Sequence, residues 1–147
     1  MQNFQAITFT NSGYLDFTMN LLRSAEMNSD KLNIIVYCTD IKSYDYIRKN
    51  NYDAILLNPE KEISKKLSPW KAGDGEFGKI MISKFEAIHD SLQKNKYVLY
   101  IDGDVVIKKD FNEYFQKNIN NNDFLFQLDY NPKRIEQNEL CAGFMFI

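Results

Sequence analysis

The sequence predicts an α/β domain, a mainly parallel sheet with helices on both faces. Three observations carry this expectation. Short apolar runs alternate with longer stretches whose apolar residues recur at helical spacing. One run, Leu32 to Cys38 (LNIIVYC), is apolar almost throughout, as a parallel strand buried on both faces requires. The resulting β-α-β-α-β order favours right-handed crossovers between parallel strands. At 147 residues the chain is long enough for one such domain with a real core, and no repeat or linker divides it.

Each element has its own signal. Ala6 to Thr10 is the first strand, and Gly13 to Met27 follows as a helix, with Leu15, Met19, Leu22 and Ala25 near helical spacing. Leu32 to Cys38 is the second strand, and Thr39-Asp40 caps a short helix that runs through Lys49. Ala54 to Leu57 is a third strand, ended by Asn58-Pro59. Glu60 to Gly75 is polar, holds Pro69 and Gly73, and reads as a long mobile loop anchored by Trp70. Glu76 to Gln93 is the longest helix, with Phe77, Ile80, Met81, Phe85, Ile88 and Leu92 as its apolar stripe. Tyr97 to Ile101 is the fourth strand. Phe111 to Lys117 is a helix, Asn118 to Asn122 a turn, and Asp123 to Leu128 and Cys141 to Ile147 are the last strands.

Composition removes several classes of function. Hydrophobic residues make up 44% and aromatics 14%, which argues against a disordered chain. The net charge is −2 and no basic cluster is interleaved with aromatics, so nucleic acid is not the expected partner. No apolar run approaches the roughly 20 residues that span a bilayer. The N-terminus MQNFQAITFTNSGY has no secretory pattern, which points to a cytoplasmic protein. Cys38 and Cys141 lie in apolar surroundings and read as buried, reduced thiols. A single histidine, His89, excludes a zinc site of several imidazoles, and its place at the flank of the helical stripe reads as packing or surface.

In open parallel sheets ligands bind at the carboxyl ends of the strands. Here that edge would carry Thr10-Asn11, Thr39-Asp40 and Asp102-Gly103-Asp104. Asp102 and Asp104 stand just beyond the strand VLYI, and Gly103 between them lets a turn bring them together. Two close carboxylates repel; a hard divalent cation, magnesium or manganese, relieves that repulsion and suits oxygen ligands. Two carboxylates leave coordination positions for water or a pyrophosphate. The plain alternative is an ordinary polar turn, in which Asp-Gly is common.

Lys84 falls beside Ile80 and Ile88 on the helical wheel, inside the stripe that faces the sheet. A lysine there needs a partner, for which a phosphate or the acid pair would serve, unless its stem carries the ammonium out to water. Tyr14 opens the first helix, where its ring would either pack or stack on a base. Gly143 begins the last apolar run, where a missing side chain admits a ligand close to the backbone.

Taken together, ITFTNSGY, NIIVYCTD, FGKIMISKFEAIHDSLQKNKYVLYIDGDVVIKKDF and LCAGFMFI resemble the nucleotide-diphospho-sugar transferases of GT-A fold. The likeness is greatest to the glycogenin-like and the plant α-xylosyl- or α-galactosyltransferase-like groups, and it covers nearly the whole chain. It implies a metal-dependent glycosyltransferase that moves a sugar from a nucleotide-diphosphate donor, expected to be a UDP-sugar, to an acceptor hydroxyl. The acceptor would be a glycan, a protein or a small molecule, and transfer in these groups mostly retains anomeric configuration. Thr10, Asn11 and Tyr14 match the element that holds uracil and ribose, and Asp40 would lie near the base. Lys84 matches a lysine that approaches the nucleotide or its phosphates. Asp102 and Asp104, with Gly103 between, match the D-x-D that holds Mn2+ or Mg2+ on the diphosphate. Asp129 and the Cys141-Ala142-Gly143 turn would face the donor sugar.

The sequence also departs from that pattern. Cys141 stands where the family often has asparagine. The later half, which commonly supplies a histidine as third metal ligand and most of the acceptor site, has no counterpart here. The expectation is therefore a truncated or unusually short catalytic domain. Two rival readings follow: a nucleotide-sugar-binding module without turnover, and a haloacid-dehalogenase-like phosphatase with Asp102 as nucleophile and Asp104 as acid. The phosphatase motif normally opens the first strand, whereas here it lies about two-thirds along the chain.

Overall fold

The structure, a computed structural model, describes residues 4–29, 31–57, 75–118, 122–129 and 139–147. Its six strands form one sheet. The elements run β1 (Gln5–Thr10), α1 (Leu15–Asn28), β2 (Ile34–Cys38), α2 (Ile41–Lys49), β3 (Ala54–Leu56), α3 (Gly75–Leu92), β4 (Val98–Ile101), α4 (Asn112–Asn118), β5 (Leu125–Asp129) and β6 (Glu139–Phe146). Strand order is β3-β2-β1-β4-β6-β5. The first four neighbours are parallel, while β6 lies antiparallel to both β4 and β5. The mainly parallel sheet is as expected; its antiparallel flank carries no sequence signal separable from any other short apolar run.

Both faces are covered. Met19, Leu21, Leu22 and Ala25 of α1, Ile47 of α2 and Phe115 of α4 cover Ala6, Val36, Leu99 and Ile101 on one side. Ala87 and Ile88 of α3 cover Ile7, Tyr37, Val98, Tyr100 and Met145 on the other. Alternate residues of β4 therefore feed opposite cores, and all four are fully buried. Asp40 caps α2 as anticipated, its carboxylate accepting from the Ser43 amide at 2.7 Å.

The stripe expected on α3 needs correction. Phe85 is 64% exposed, and the face against the sheet is Ile80, Ser83, Lys84, Ala87, Ile88 and Ser91. Both sets obey the helical period, but small residues at 83, 87 and 91 let the helix approach the sheet closely, which the Phe85 ring would prevent. Of the expected loop, positions 60–74 with Trp70 lie outside the described residues, as does Asn58-Pro59; Gly75 begins α3. The centre of the Asn118 to Asn122 turn lies outside them too. His89 is exposed, as its flank position implied.

Candidate functional site

Parallel pairing brings the carboxyl ends of β1, β2 and β4 to one edge, with Thr10 opposite Cys38 and Ile7 opposite Tyr100. The loops that follow are tied together by their own polar groups. The Thr39 amide donates to the Thr10 carbonyl at 3.0 Å, and the Ser12 amide donates to Asp40 at 2.6 Å. The Gly13 amide donates to the Asn11 side chain at 3.0 Å, closing a tight turn before α1. Thr18 reaches back from α1 to bond Thr10, hydroxyl to hydroxyl, at 2.8 Å. Thr10, Asn11 and Asp40 are all buried. Both Asp40 oxygens bond to backbone amides, so this residue joins the β1–α1 loop to the start of α2.

The acid pair lies at the centre of the same edge. Asp102 shares the strand face of Tyr100, two residues earlier, and that face looks toward α3. The Tyr100 hydroxyl donates to Asp102 Oδ1 at 2.5 Å. Lys84 comes from α3 to the same oxygen, with Nζ at 3.3 Å, and donates to the Ala142 carbonyl at 2.5 Å. Its ammonium also stands 4.3 Å from the centre of the Tyr100 ring. The Lys84 side chain is only 4% exposed against 37% for Asp102, so this cation is buried with an acid, a carbonyl and an aromatic face as partners. It does not snorkel to water.

Ala142 and Gly143 lie within β6, in line with the strand expected over Cys141 to Ile147 and not as a turn, at an irregularity. Phe126 pairs with Met145 while the next residue, Gln127, pairs with Cys141, so residues 142–144 are left out of the β5 ladder, although Phe144 still pairs with Ile101 of β4. The regular β4–β6 ladder, carried one step past Ile101–Phe144, places the Gly143 carbonyl 2.7 Å from the Asp102 amide. A Cβ on Gly143 would sit 2.7 Å from Asp102 Oδ2, so only glycine leaves that oxygen clear. Oδ1 is thus held from within, and Oδ2 lies beside an absent side chain.

Asp104 is exposed on the turn beyond, near Tyr14. Burial, then the neighbouring Asp104 carboxylate and the charge of Asp102, push the Tyr14 hydroxyl well above the usual phenol range. Burial and the Asp102 carboxylate do the same to Tyr100. Gly103 is buried beneath Tyr14 and Thr18; a Cβ there would approach the Thr18 hydroxyl to 2.9 Å. Asp129 ends β5 on the same edge of the sheet, opposite Glu139, and its side chain lies outside the described residues.

The structure thus gathers Lys84, Asp102, Gly103, Asp104, Tyr14 and Gly143 into one cluster, with Thr10, Asn11 and Asp40 along its rim. The sequence reading missed Tyr100 and the Ala142 carbonyl. Tyr100 had a signal, since a residue two before Asp102 in a strand must share its face. The carbonyl had none, because it depends on β6 lying beside β4. The donor set fits a hard divalent cation: two carboxylates, one braced by Lys84 and Tyr100 with its second oxygen clear, the other exposed. Among the described residues no group of three His, Cys, Asp or Glu converges. No helix there is long and apolar enough to cross a membrane.

Known proteins resemble this chain in sequence and in fold. A curated relative, the UDP-galactose:fucoside alpha-3-galactosyltransferase of Dictyostelium discoideum, is 28% identical over 171 residues, covering 99% of this chain and 26% of its own. The galactosyltransferase LgtC, solved with donor and acceptor sugar analogues, superposes with a TM-score of 0.64 at 14% identity, over 98% of this chain and 57% of its own. The glycosyltransferase GlyE of Streptococcus pneumoniae TIGR4 gives 0.59 at 17%, over 99% and 34%. The chain therefore spans about a quarter of the curated relative and between a third and three-fifths of these structures. The two structures share the GT-A fold anticipated from the sequence. The pattern of the nucleotide-diphospho-sugar transferases matches residues 31–147, and the chain belongs to that family.

Proposed function

We propose that this chain is the donor-binding part of a metal-dependent glycosyltransferase that takes a sugar from a UDP-sugar to an acceptor hydroxyl. One observation carries the reading: Asp102 and Asp104 meet at the carboxyl edge of the sheet, with Asp102 oriented by Lys84 and Tyr100 and its free oxygen beside Gly143. Asp102 and Asp104 would hold Mn2+ or Mg2+, whose chemistry is to neutralise the charge that develops on the leaving diphosphate. Lys84 fixes the Asp102 rotamer and adds positive charge beneath the same point. The loop 10–14, with Thr10, Asn11 and Tyr14, forms the side of the site where a base and ribose would rest, with Asp40 holding that loop against α2. Asp129 and the Gly143 bulge border the position of the sugar. The uridine assignment is supported by the name of the curated relative, which specifies UDP-galactose.

The test is UDP binding by calorimetry with and without Mn2+, in the wild type and in Asp104→Ala. Manganese should tighten UDP binding in the wild type and not in the variant; equal metal dependence in both would refute the reading. A thermal-shift panel of UDP-, GDP- and CDP-sugars assigns the base. Donor binding with neither transfer nor donor hydrolysis would favour a binding module without turnover. The phosphatase alternative gains nothing from the structure, in which the acids follow the fourth strand in sequence and family membership lies elsewhere.

A further inference from the structure

The two oxygens of Asp102 are not equivalent. Oδ1 accepts from two side chains at once, the Tyr100 hydroxyl at 2.5 Å and the Lys84 ammonium at 3.3 Å. Tyr100 is fully buried in β4 and Lys84 is 4% exposed, so neither donor can turn to water instead. The ammonium is fixed further by the Ala142 carbonyl and by the face of the Tyr100 ring. A carboxylate oxygen has about two lone-pair sites, and on Oδ1 both are taken. Oδ2 lies beside the space that a side chain at Gly143 would fill, where a Cβ would stand 2.7 Å away. The backbone of Asp102 is held as well: its amide donates to the Gly143 carbonyl at 2.7 Å, and its carbonyl accepts from the Val105 amide at 3.1 Å. Main chain and side chain together fix the carboxylate in one orientation, with one oxygen engaged and the other clear.

We propose that Tyr100 and Lys84 are positioning residues that make the acid pair selective for a small octahedral dication, Mg2+ or Mn2+, against Ca2+, by leaving Asp102 a single ligating oxygen, Oδ2. This rests on the reading of Asp102 and Asp104 as the cation site. Calcium gathers roughly six to eight oxygens and gains from carboxylates that offer both of theirs, whereas magnesium takes about six at shorter distance and keeps several waters. A carboxylate limited to one oxygen therefore costs calcium more than it costs magnesium or manganese. A dication that moved toward Oδ1 would also approach the Lys84 ammonium, a buried like charge. Selectivity is then set by two residues that never touch the cation, a phenol and an ammonium that occupy the oxygen it would otherwise share.

The experiment measures UDP binding to the full chain by calorimetry, with Mn2+, Mg2+ or Ca2+ present, in the wild type, Tyr100→Phe, Lys84→Met and Asp104→Asn. Phenylalanine keeps the buried ring and its face toward Lys84 and removes only the hydroxyl. In the wild type Mn2+ and Mg2+ should tighten UDP binding and Ca2+ far less. In Tyr100→Phe the advantage of Mn2+ over Ca2+ should fall roughly threefold to tenfold, as expected for one hydrogen bond lost from a charged acceptor. Lys84→Met frees the same oxygen of its other donor and should shift the ratio in the same direction. A ratio between cations cancels any general loss of stability or of nucleotide affinity, so a merely structural role for either residue would leave it unchanged. Equal effects of Ca2+ and Mn2+ in the wild type, or a ratio unchanged in either folded variant, with metal dependence still lost in Asp104→Asn, would overturn the inference and leave the cation site standing. UDP binding that no cation strengthens in the wild type, or metal dependence that survives in Asp104→Asn, would overturn the cation site and the inference with it.

Discussion

Replacing Lys84 by methionine keeps the aliphatic stem on α3 and removes the ammonium alone. Three contacts go with it: Asp102 Oδ1 at 3.3 Å, the Ala142 carbonyl at 2.5 Å and the Tyr100 ring face at 4.3 Å. Breaking a buried ion pair by removing one partner costs about 3–5 kcal/mol. Asp102 is 37% exposed and regains part of its hydration, which lowers the electrostatic loss to about 2 kcal/mol. The carbonyl left without its donor adds about 1 kcal/mol. At about 2.1 cal/mol/K per residue, a chain of 147 residues unfolds with an entropy near 0.3 kcal/mol/K, so about 3 kcal/mol lowers Tm by roughly 10 °C. Thermal unfolding followed by circular dichroism measures this, and a double-mutant cycle with Asp102→Asn isolates the pair. The cycle should give a coupling of about 1–2 kcal/mol. A Lys84→Met chain melting within about 2 °C of the wild type, or additive effects in the cycle, would refute the claim that Lys84 braces Asp102.

Further outcomes concern Gly143 and Cys38. Gly143→Ala puts a methyl 2.7 Å from Asp102 Oδ2 while Oδ1 is held by Tyr100 and Lys84, so it should destabilise the fold by about 1–3 kcal/mol and weaken Mn2+-dependent UDP binding; calorimetry showing wild-type affinity would count against the bulge as a wall of the site. Burial pushes the Cys38 thiol up to about 12, so it should resist iodoacetamide at pH 8 in the native chain while the partly exposed Cys141 reacts, as mass spectrometry of labelled peptides would report. The sign for stability follows: a thiol held neutral contributes below its unfolded pKa, near 9, and that contribution fades as pH rises toward 12, so a Cys38→Ala chain should lose less stability than the wild type over that interval.

Much of the fold was legible because it depends on local pattern. The apolar run LNIIVYC, the Thr39-Asp40 cap and the helical spacing on either side need no long-range information, and each element appears within a few residues of its expected place. The face of α3 was not legible in full. Phe85 and Lys84 are neighbours in sequence, and hydrophobicity ranks them the wrong way round; the sheet accepts the lysine because Asp102, Tyr100 and the Ala142 carbonyl wait for it there. The antiparallel placement of β6 between β4 and β5 was equally silent, since pairing partners are chosen across the chain rather than along it.

The acid pair shows the same division. The sequence by itself determined that two carboxylates follow a buried strand, that glycine separates them, and that they stand on the edge where parallel sheets bind ligands. Only the tertiary structure decided that the two are unequal. Asp102 is braced by a buried cation, a locked phenol and a strand from the far end of the chain, whereas Asp104 stands exposed near a partly buried tyrosine from its beginning. The reason is physical: a carboxylate's chemistry depends on what shares its few ångströms of space, and those neighbours lie 18, 41 and 90 positions away in sequence, from Lys84 and Gly143 to Asp102 and from Tyr14 to Asp104.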